Sequence, residues 1–414
     1  MDYRATILLY MELVLALGIL WRAGLFKTAP QRTLVLVMVP LAFVLRYCCL
    51  PYETLDYQDW IRVWIQALRD AGPWRGLGSA IWSCNYNVPY LYFLALIAKS
   101  EIYDLLLVKL FSILFDVLLA WFTMLLVGVF TQSPARRLTA FLGVLWLPSV
   151  YLNGALWGQC DVIYVAFAVL ALYLALSGRP GWSVAAIAIS ISFKLQGIFL
   201  LPFWAVLLIA GRVKFWQLFI FPLTYVASIL PAVFAGRNFF ELILLYYNNT
   251  GSIGSGLNYN SSSVYALLNF DALPAEDAAA IGIFLACLFC VSLFAGALIR
   301  RKSLTNQALL GAAVMLCIGV PFLLPHMHDR YFFLADILTF ALAVVCPRMS
   351  LAPICVSFGS LLGYHAYLKM RFLMPMRYGA AAMLLALILA AGYFLFSLGQ
   401  EKPLDNESEF DIMA

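Results

Sequence analysis

Pro325-His326-Met327-His328-Asp329-Arg330-Tyr331 stands between two apolar runs, 306–323 and 331–345, and this placement decides the fold. Two of the chain's three histidines, a carboxylate and a guanidinium are costly to hold in hydrocarbon. The flanking runs therefore read as membrane spans, and the cluster as a functional group of residues at the mouth of one of them. Outward from it the pattern repeats. The 414 residues are 64% hydrophobic and 11% charged, where soluble domains carry roughly 25% charged residues.

Apolar stretches recur from Thr6 to Leu398, each close to the roughly 20 residues needed to cross a hydrocarbon core of about 30 Å. The expected fold is all-α: a polytopic membrane bundle of about thirteen spans in a single transmembrane domain, 1–414. The spans fall near 6–24, 33–50, 104–130, 138–152, 162–176, 182–199, 200–210, 214–234, 278–298, 306–323, 331–345, 350–368 and 378–397. No small-residue cleavage site follows the first, which reads as a retained helix. The net charge of +5 lies in short loops, so nucleic acid is not an expected partner. Cys287 and Cys290 form a C-x-x-C without a second pair inside an apolar run, which reads as packing rather than metal.

The loops divide by charge. Lys27 and Arg32, Arg136 and Arg137, Arg179, Arg212 and Lys214, Arg300 to Lys302, and Arg348 fall on one side, which the positive-inside rule makes cytoplasmic. The acidic tail, 398–414, falls there too. The other side collects 51–102, the turn from Asn153 to Asp161, the segment 246–263 and the histidine cluster. Nearly every polar or aromatic-rich motif thus opens onto one face, the pattern of an outward-facing active site in the cell's inner membrane.

The first outer loop, 51–102, is too long for a connector. Within it, Ile61, Trp64, Ile65 and Leu68 form the apolar stripe of an amphipathic helix that suits the membrane interface. Asp56 at its start either caps that helix or projects into a cavity. Asn85-Tyr86-Asn87-Val88-Pro89-Tyr90 comes next, as a wall over a site. Inside the spans, Lys109 and Asp116 share a helical face, and Asp116 reads as a structural tie. Lys194 either snorkels or points at an anionic head group. Gln159 and Asp161 bind a ligand or cap a helix; Asn258 and Asn260 do similar work or form turns. Arg330 offers a planar fork suited to phosphate, with His326 and His328 as further donors. H-x-H on a helix would put the imidazoles on nearly opposite faces, which argues against zinc.

Together these residues resemble the GT-C class of glycosyltransferases, which take a sugar from a polyprenyl-phosphate carrier at the outer or lumenal membrane face. His326-Met327-His328-Asp329-Arg330 is similar to the H-V-H-E-K motif of the dolichyl-phosphate-glucose-dependent glucosyltransferases, and Asp56-Tyr57 to the D-Y pair of their first lumenal loop. Trp157-Gly158-Gln159-Cys160-Asp161 and Phe193-Lys194-Leu195-Gln196 look like stretches of their bacterial relatives. This chain has D-R for E-K and one additional N-terminal span.

The resemblance implies an inverting hexosyltransferase with Asp56 as base and no cofactor or metal. Arg330, His326, His328 and Lys194 would bind the donor phosphate, and Gln159, Asp161, Asn258, Asn260, Asp329 and Tyr86 the sugar or acceptor. Implied partners are a polyprenyl-phosphate sugar, a lipid-linked or polymer glycan acceptor and membrane lipids. The rival class is a lipid-linked saccharide flippase or transporter, which would place polar residues near the midplane on broken helices.

Overall fold

A computed structural model describes residues 2–248, 256–270 and 272–399; the acidic tail beyond 399 and the part of the 246–263 segment at 249–255 lie outside these. The chain opens with α1 (Tyr3–Arg22) and α2 (Ala29–Cys49). A loop region carries α3 (Arg62–Ala71) and α4 (Val88–Ala98). The central part holds α5 (Asp104–Gly128), α6 (Pro134–Trp146), α7 (Pro148–Tyr151), α8 (Asp161–Leu176), α9 (Pro180–Phe193), α10 (Phe203–Ile209) and α11 (Ile220–Phe234). Three short helices come after it: α12 (Phe239–Ile243), α13 (Leu245–Asn248) and α14 (Val264–Leu267). The chain continues with α15 (Ala275–Ile299), α16 (Asn306–Leu323), α17 (Phe333–Val345), α18 (Leu351–Leu368) and α19 (Arg377–Gly399). The strands β1 (Asn258–Tyr259) and β2 (Met327–His328) pair in parallel.

Among the described residues, eight helices are long and apolar enough to cross a membrane, nine if the bent pair Pro134–Trp146 and Pro148–Trp157 is one span. The expected count of about thirteen included shorter pieces: Asp161–Leu176, Pro180–Phe193 and Phe333–Val345 are apolar but under eighteen residues, and 182–199 and 200–210 are one broken run. Pro148 is the reason for the 42° bend, since proline lacks the amide that would continue α6. α5, α8 and α9 pack side by side, and α16 is buried along most of its length against α19. α15 instead exposes Phe284, Leu288 and Val291, as a lipid-facing helix would.

The loop helix forms with the expected face inward: Ile61, Trp64, Ile65 and Leu68 are all buried. α4 begins where Asn87 accepts the amide of Val88, with Pro89 in the first turn. It is no mere flap, because it packs against α3, α5, α9 and α11.

Two buried cations fix the frame beneath the site. Arg46 on α2 binds Asp116 on α5 at 2.9 Å and also the carbonyls of Ala42 and Leu145, with both charged side chains fully enclosed. Lys109 does not join Asp116. Its ammonium takes the carbonyls of Cys49, Leu50 and Tyr52 at 2.5–3.1 Å, satisfying the open end of α2 and pinning the chain that leads to Asp56. A buried pair with one partner removed costs about 3–5 kcal/mol, whereas replacing both with apolar residues of similar size is close to neutral. Asp116→Ala is accordingly expected to lower the thermal midpoint in detergent sharply, and Arg46→Met with Asp116→Leu to recover most of it. Equal loss in the single and double variants would contradict the pairing.

Candidate active site

Two π-helical turns deliver the site's side chains. The first, Tyr57–Ile61, comes directly after Asp56; the second, Leu152–Trp157, ends at Gly158, whose φ of +80° reverses the chain. A π turn inserts one residue into a helical repeat and rotates the residues beyond it, a distortion often kept at functional sites. Here it rotates Asp56 away from the helix it precedes, so the carboxylate makes no cap. Thr54 donates to the carbonyl of Trp157 at 2.8 Å and joins the two turns.

The Asp56 carboxylate is enclosed by donors from three distant parts of the chain. Its Oδ2 accepts from Trp157 Nε1 at 2.8 Å, Gln159 Nε2 at 2.5 Å and Arg330 Nη1 at 3.0 Å, and its Oδ1 accepts from Tyr367 at 2.6 Å. Burial alone would raise this acid. The guanidinium, together with the Tyr367 and Trp157 donors, outweighs burial and holds it below the ordinary carboxylate value.

Arg330 is held between two acids and an aromatic face. Its Nε is 3.7 Å from Asp161 Oδ2, its guanidinium carbon is 5.0 Å from the Trp157 ring centre, and Trp157 stacks in turn on Tyr367 at 4.6 Å. Nε is buried without a hydrogen bond among the described residues. Asp161 opens α8 but caps nothing: it pairs with Lys194 and accepts from Asn153 at 2.8 Å. Lys194 is buried in this pair rather than snorkelling, with its ammonium 5.2 Å from the Tyr86 ring centre. Tyr86 also donates to Gln159 Oε1 at 3.4 Å.

The histidine segment departs from expectation in its backbone. It is not helical. α16 ends at Leu323 ahead of Pro325, and Met327–His328 lie extended against β1. The two imidazoles are therefore not set on opposite faces of a helix, and the expected objection to zinc loses its premise; among the described residues no group of three or more His, Cys, Asp or Glu could hold a metal ion. His326 has φ +61°, a left-handed conformation that costs a non-glycine residue about 1–2 kcal/mol. Two bonds hold it there: its amide donates to Leu257 and its Nδ1 to Gly256 at 2.7 Å. A carbonyl only accepts, so Nδ1 is the donor in this bond. His328 stacks on Tyr259 at 4.7 Å. Burial, with Arg330 and Lys194 adding repulsion, pushes it down to about 4, so this ring is neutral at pH 7.

Asp329 makes no ion pair with Arg330 among the described residues, although they are adjacent. Its side chain is 5% exposed beside Gly363, where the backbone of α18 approaches too closely for a side chain. Asn258 forms a turn: its side chain binds Ser261 through both carbonyl and amide. Asn260, at φ +58°, is likewise a turn residue, bridged to His328.

Asp56, Tyr86, Gln159, Asp161, Lys194 and Arg330 are thus one connected cluster, with His328 and Asp329 beside it. Sequence reasoning missed Tyr367, Asn153 and the direct role of Trp157. The signal for Tyr367 was its place at the end of a span predicted to finish on the same side as the cluster. No family model matches the chain and no curated protein matches it, so the chemistry is read from this geometry.

Burial raises Asp329 to about 7, against partial relief from Arg330 and further repulsion from Asp56 and Asp161. The fold therefore keeps this proton where the unfolded chain releases it near 4, and stability is lost as pH rises through that window. His328 acts oppositely, its lowered value adding stability as pH rises from about 4 to 6.5. Asp329→Asn removes only the first effect. The variant is expected to exceed the parent by about 1–3 kcal/mol at pH 8 and to match it near pH 4, measured by thermal unfolding in detergent at both values.

Proposed function

We propose that this protein is an inverting glycosyltransferase that moves a hexose from a polyprenyl-phosphate sugar to a hydroxyl acceptor at the extracytoplasmic face of the inner membrane. The observation that carries the proposal is the contact between Asp56 and Arg330. These residues are 274 apart in sequence, yet the acid and the guanidinium meet at 3.0 Å with Gln159, Asp161, Lys194 and Tyr86 around them.

The acceptor oxygen attacks the anomeric carbon and forms a new C–O bond as the bond to the donor phosphate breaks on the opposite side. The acceptor proton passes to Asp56. The bonding pair leaves with polyprenyl phosphate, whose growing charge is met by Arg330 and, beyond it, Lys194. A single displacement inverts the centre. The positive charge of Arg330 and Lys194 offsets the negative charge that the leaving group develops.

The resting contact gives the step an order. While Arg330 holds Asp56, the carboxylate is a weak base, because each donor that stabilises its charge lowers its affinity for a proton. A donor phosphate competes for the same guanidinium, and the orphaned Nε offers it a further bond. Transfer of Arg330 to the phosphate then releases the base when substrate has arrived. Gln159 and Tyr86 stay to orient hydroxyls.

Asp56→Asn is expected to reduce turnover by about 10²–10⁴-fold in detergent with a polyprenyl-phosphate sugar and to lower donor KM, since a neutral amide no longer competes with the phosphate for Arg330. Near-normal turnover would remove Asp56 from the mechanism, and absence of transfer by the parent with both substrates in one micelle would favour a flippase. Tyr367→Phe has a separate signature. Asp56 acts deprotonated, so activity falls as pH drops through its value; losing a donor raises that value and moves the acid limb of kcat/KM to higher pH. An unmoved limb with lower kcat would make Tyr367 structural only.

A further inference from the structure

A cavity of about 560 Å³ lies apart from the acids, between the segment around α14 and the start of α19. Its walls include Leu257, Tyr265, Leu267, Leu268 and Phe270, and Arg377 is the charged residue among them. The Arg377 guanidinium is exposed, stacked 5.2 Å from the Tyr378 ring centre, and makes no ion pair among the described residues. The loop leading to it, Lys369 to Met376, carries two more cations, Lys369 and Arg371, between Met370, Phe372 and Leu373, which are 73%, 59% and 64% exposed. These cations too lack an acidic partner among the described residues.

We propose that this cavity binds an anionic phospholipid of the bilayer, with the phosphate on Arg377 and an acyl chain along Leu267 and Leu268. Cations interleaved with exposed apolar side chains suit a lipid head-group layer, where each adds attraction to anionic lipid. A soluble anion would have no use for the apolar walls. An uncharged lipid would leave these cations without an anion among the described residues. A phosphate with a chain matches both halves.

The cavity also borders the segment that bonds to the backbone of His326. Leu257 lines the cavity and its carbonyl accepts the His326 amide, while Tyr265 ties the same segment to α15 by donating to Ala278 at 3.0 Å. A bound lipid therefore braces the strand that holds His326 in its left-handed conformation. On the other side of the loop, Tyr367 lies two residues before Lys369 and donates to Asp56. The inference rests on this cavity and not on sugar transfer.

The test is native mass spectrometry of the full-length protein in detergent with phosphatidylglycerol as the probe. One lipid retained per chain is expected, with retention cut about fivefold in Arg377→Gln, kept in Arg377→Lys, and lost in Leu268→Trp, which fills the cavity from an exposed position. Excess glycerol phosphate should not displace the lipid, and phosphatidylcholine should replace it poorly. Three results would overturn the proposal: no retention by the parent, equal retention by Arg377→Gln, or displacement by glycerol phosphate alone, which would mean that the cavity holds no chain.

Discussion

A guanidinium can remain at the end of an apolar bundle only if something nearby keeps it charged and bonded. Arg330 meets this demand through two carboxylates, Asp56 and Asp161, and through the face of Trp157. Asp161 is shared with Lys194, so two cations balance two acids and the cluster is close to neutral. Asp329 fits the same balance by holding its proton up to about 7, chiefly because it is buried, with repulsion from Asp56 and Asp161 added. The rest of the site depends on this balance. A phosphate entering it must take a cation from an acid, and the acid most exposed to that exchange is Asp56, held by Arg330 through a single nitrogen.

Bringing those groups together requires the chain to break its helices at defined places. Pro148 bends one span, a π turn and the left-handed Gly158 then send Gln159 and Asp161 back toward Asp56, and a second π turn detaches Asp56 from α3. These distortions are costly alone and are stabilised from below. Lys109 closes the carbonyl end of α2 just before the loop starts, and Ser112, one turn on, donates to the Gln159 carbonyl at 2.7 Å. α5 thus serves as a ruler against which both site-bearing loops are set.

Much of this was legible because hydrophobic periodicity and charge are local signals. The buried stripe of α3, the tie at Asp116, and the gathering of Asp56, Gln159, Asp161, Lys194 and Arg330 can be read from residue type plus the side of the bundle on which each loop should lie. The hidden part depends on backbone detail. The histidine segment reads as helical because apolar helices flank it, whereas pairing with Asn258–Tyr259, 69 positions earlier, makes it extended. Asn258 carries a ligand-like side chain that a turn consumes. Tyr367 belongs to a span whose pattern records only burial, and nothing local marks its hydroxyl as a donor to an acid 311 positions away.

The four bonds on Asp56 bear on what kind of base it can be. A carboxylate so well stabilised would be a poor general base if the arrangement were fixed, and an equally good phosphate site would be wasted on Arg330 if it never left the acid. The two apparent defects remove one another when the guanidinium changes partners. Moving Arg330 from Asp56 to an incoming phosphate costs one ion pair and forms another of the same kind, so the exchange is nearly balanced, and the surplus is the bond gained by Nε. Trp157 and Tyr367, stacked against each other, keep the carboxylate aimed during the exchange. In the proposed reaction basicity then rises, because the partner that most strongly suppressed it is drawn away by the donor's charge, and proton abstraction is thereby linked to donor occupancy.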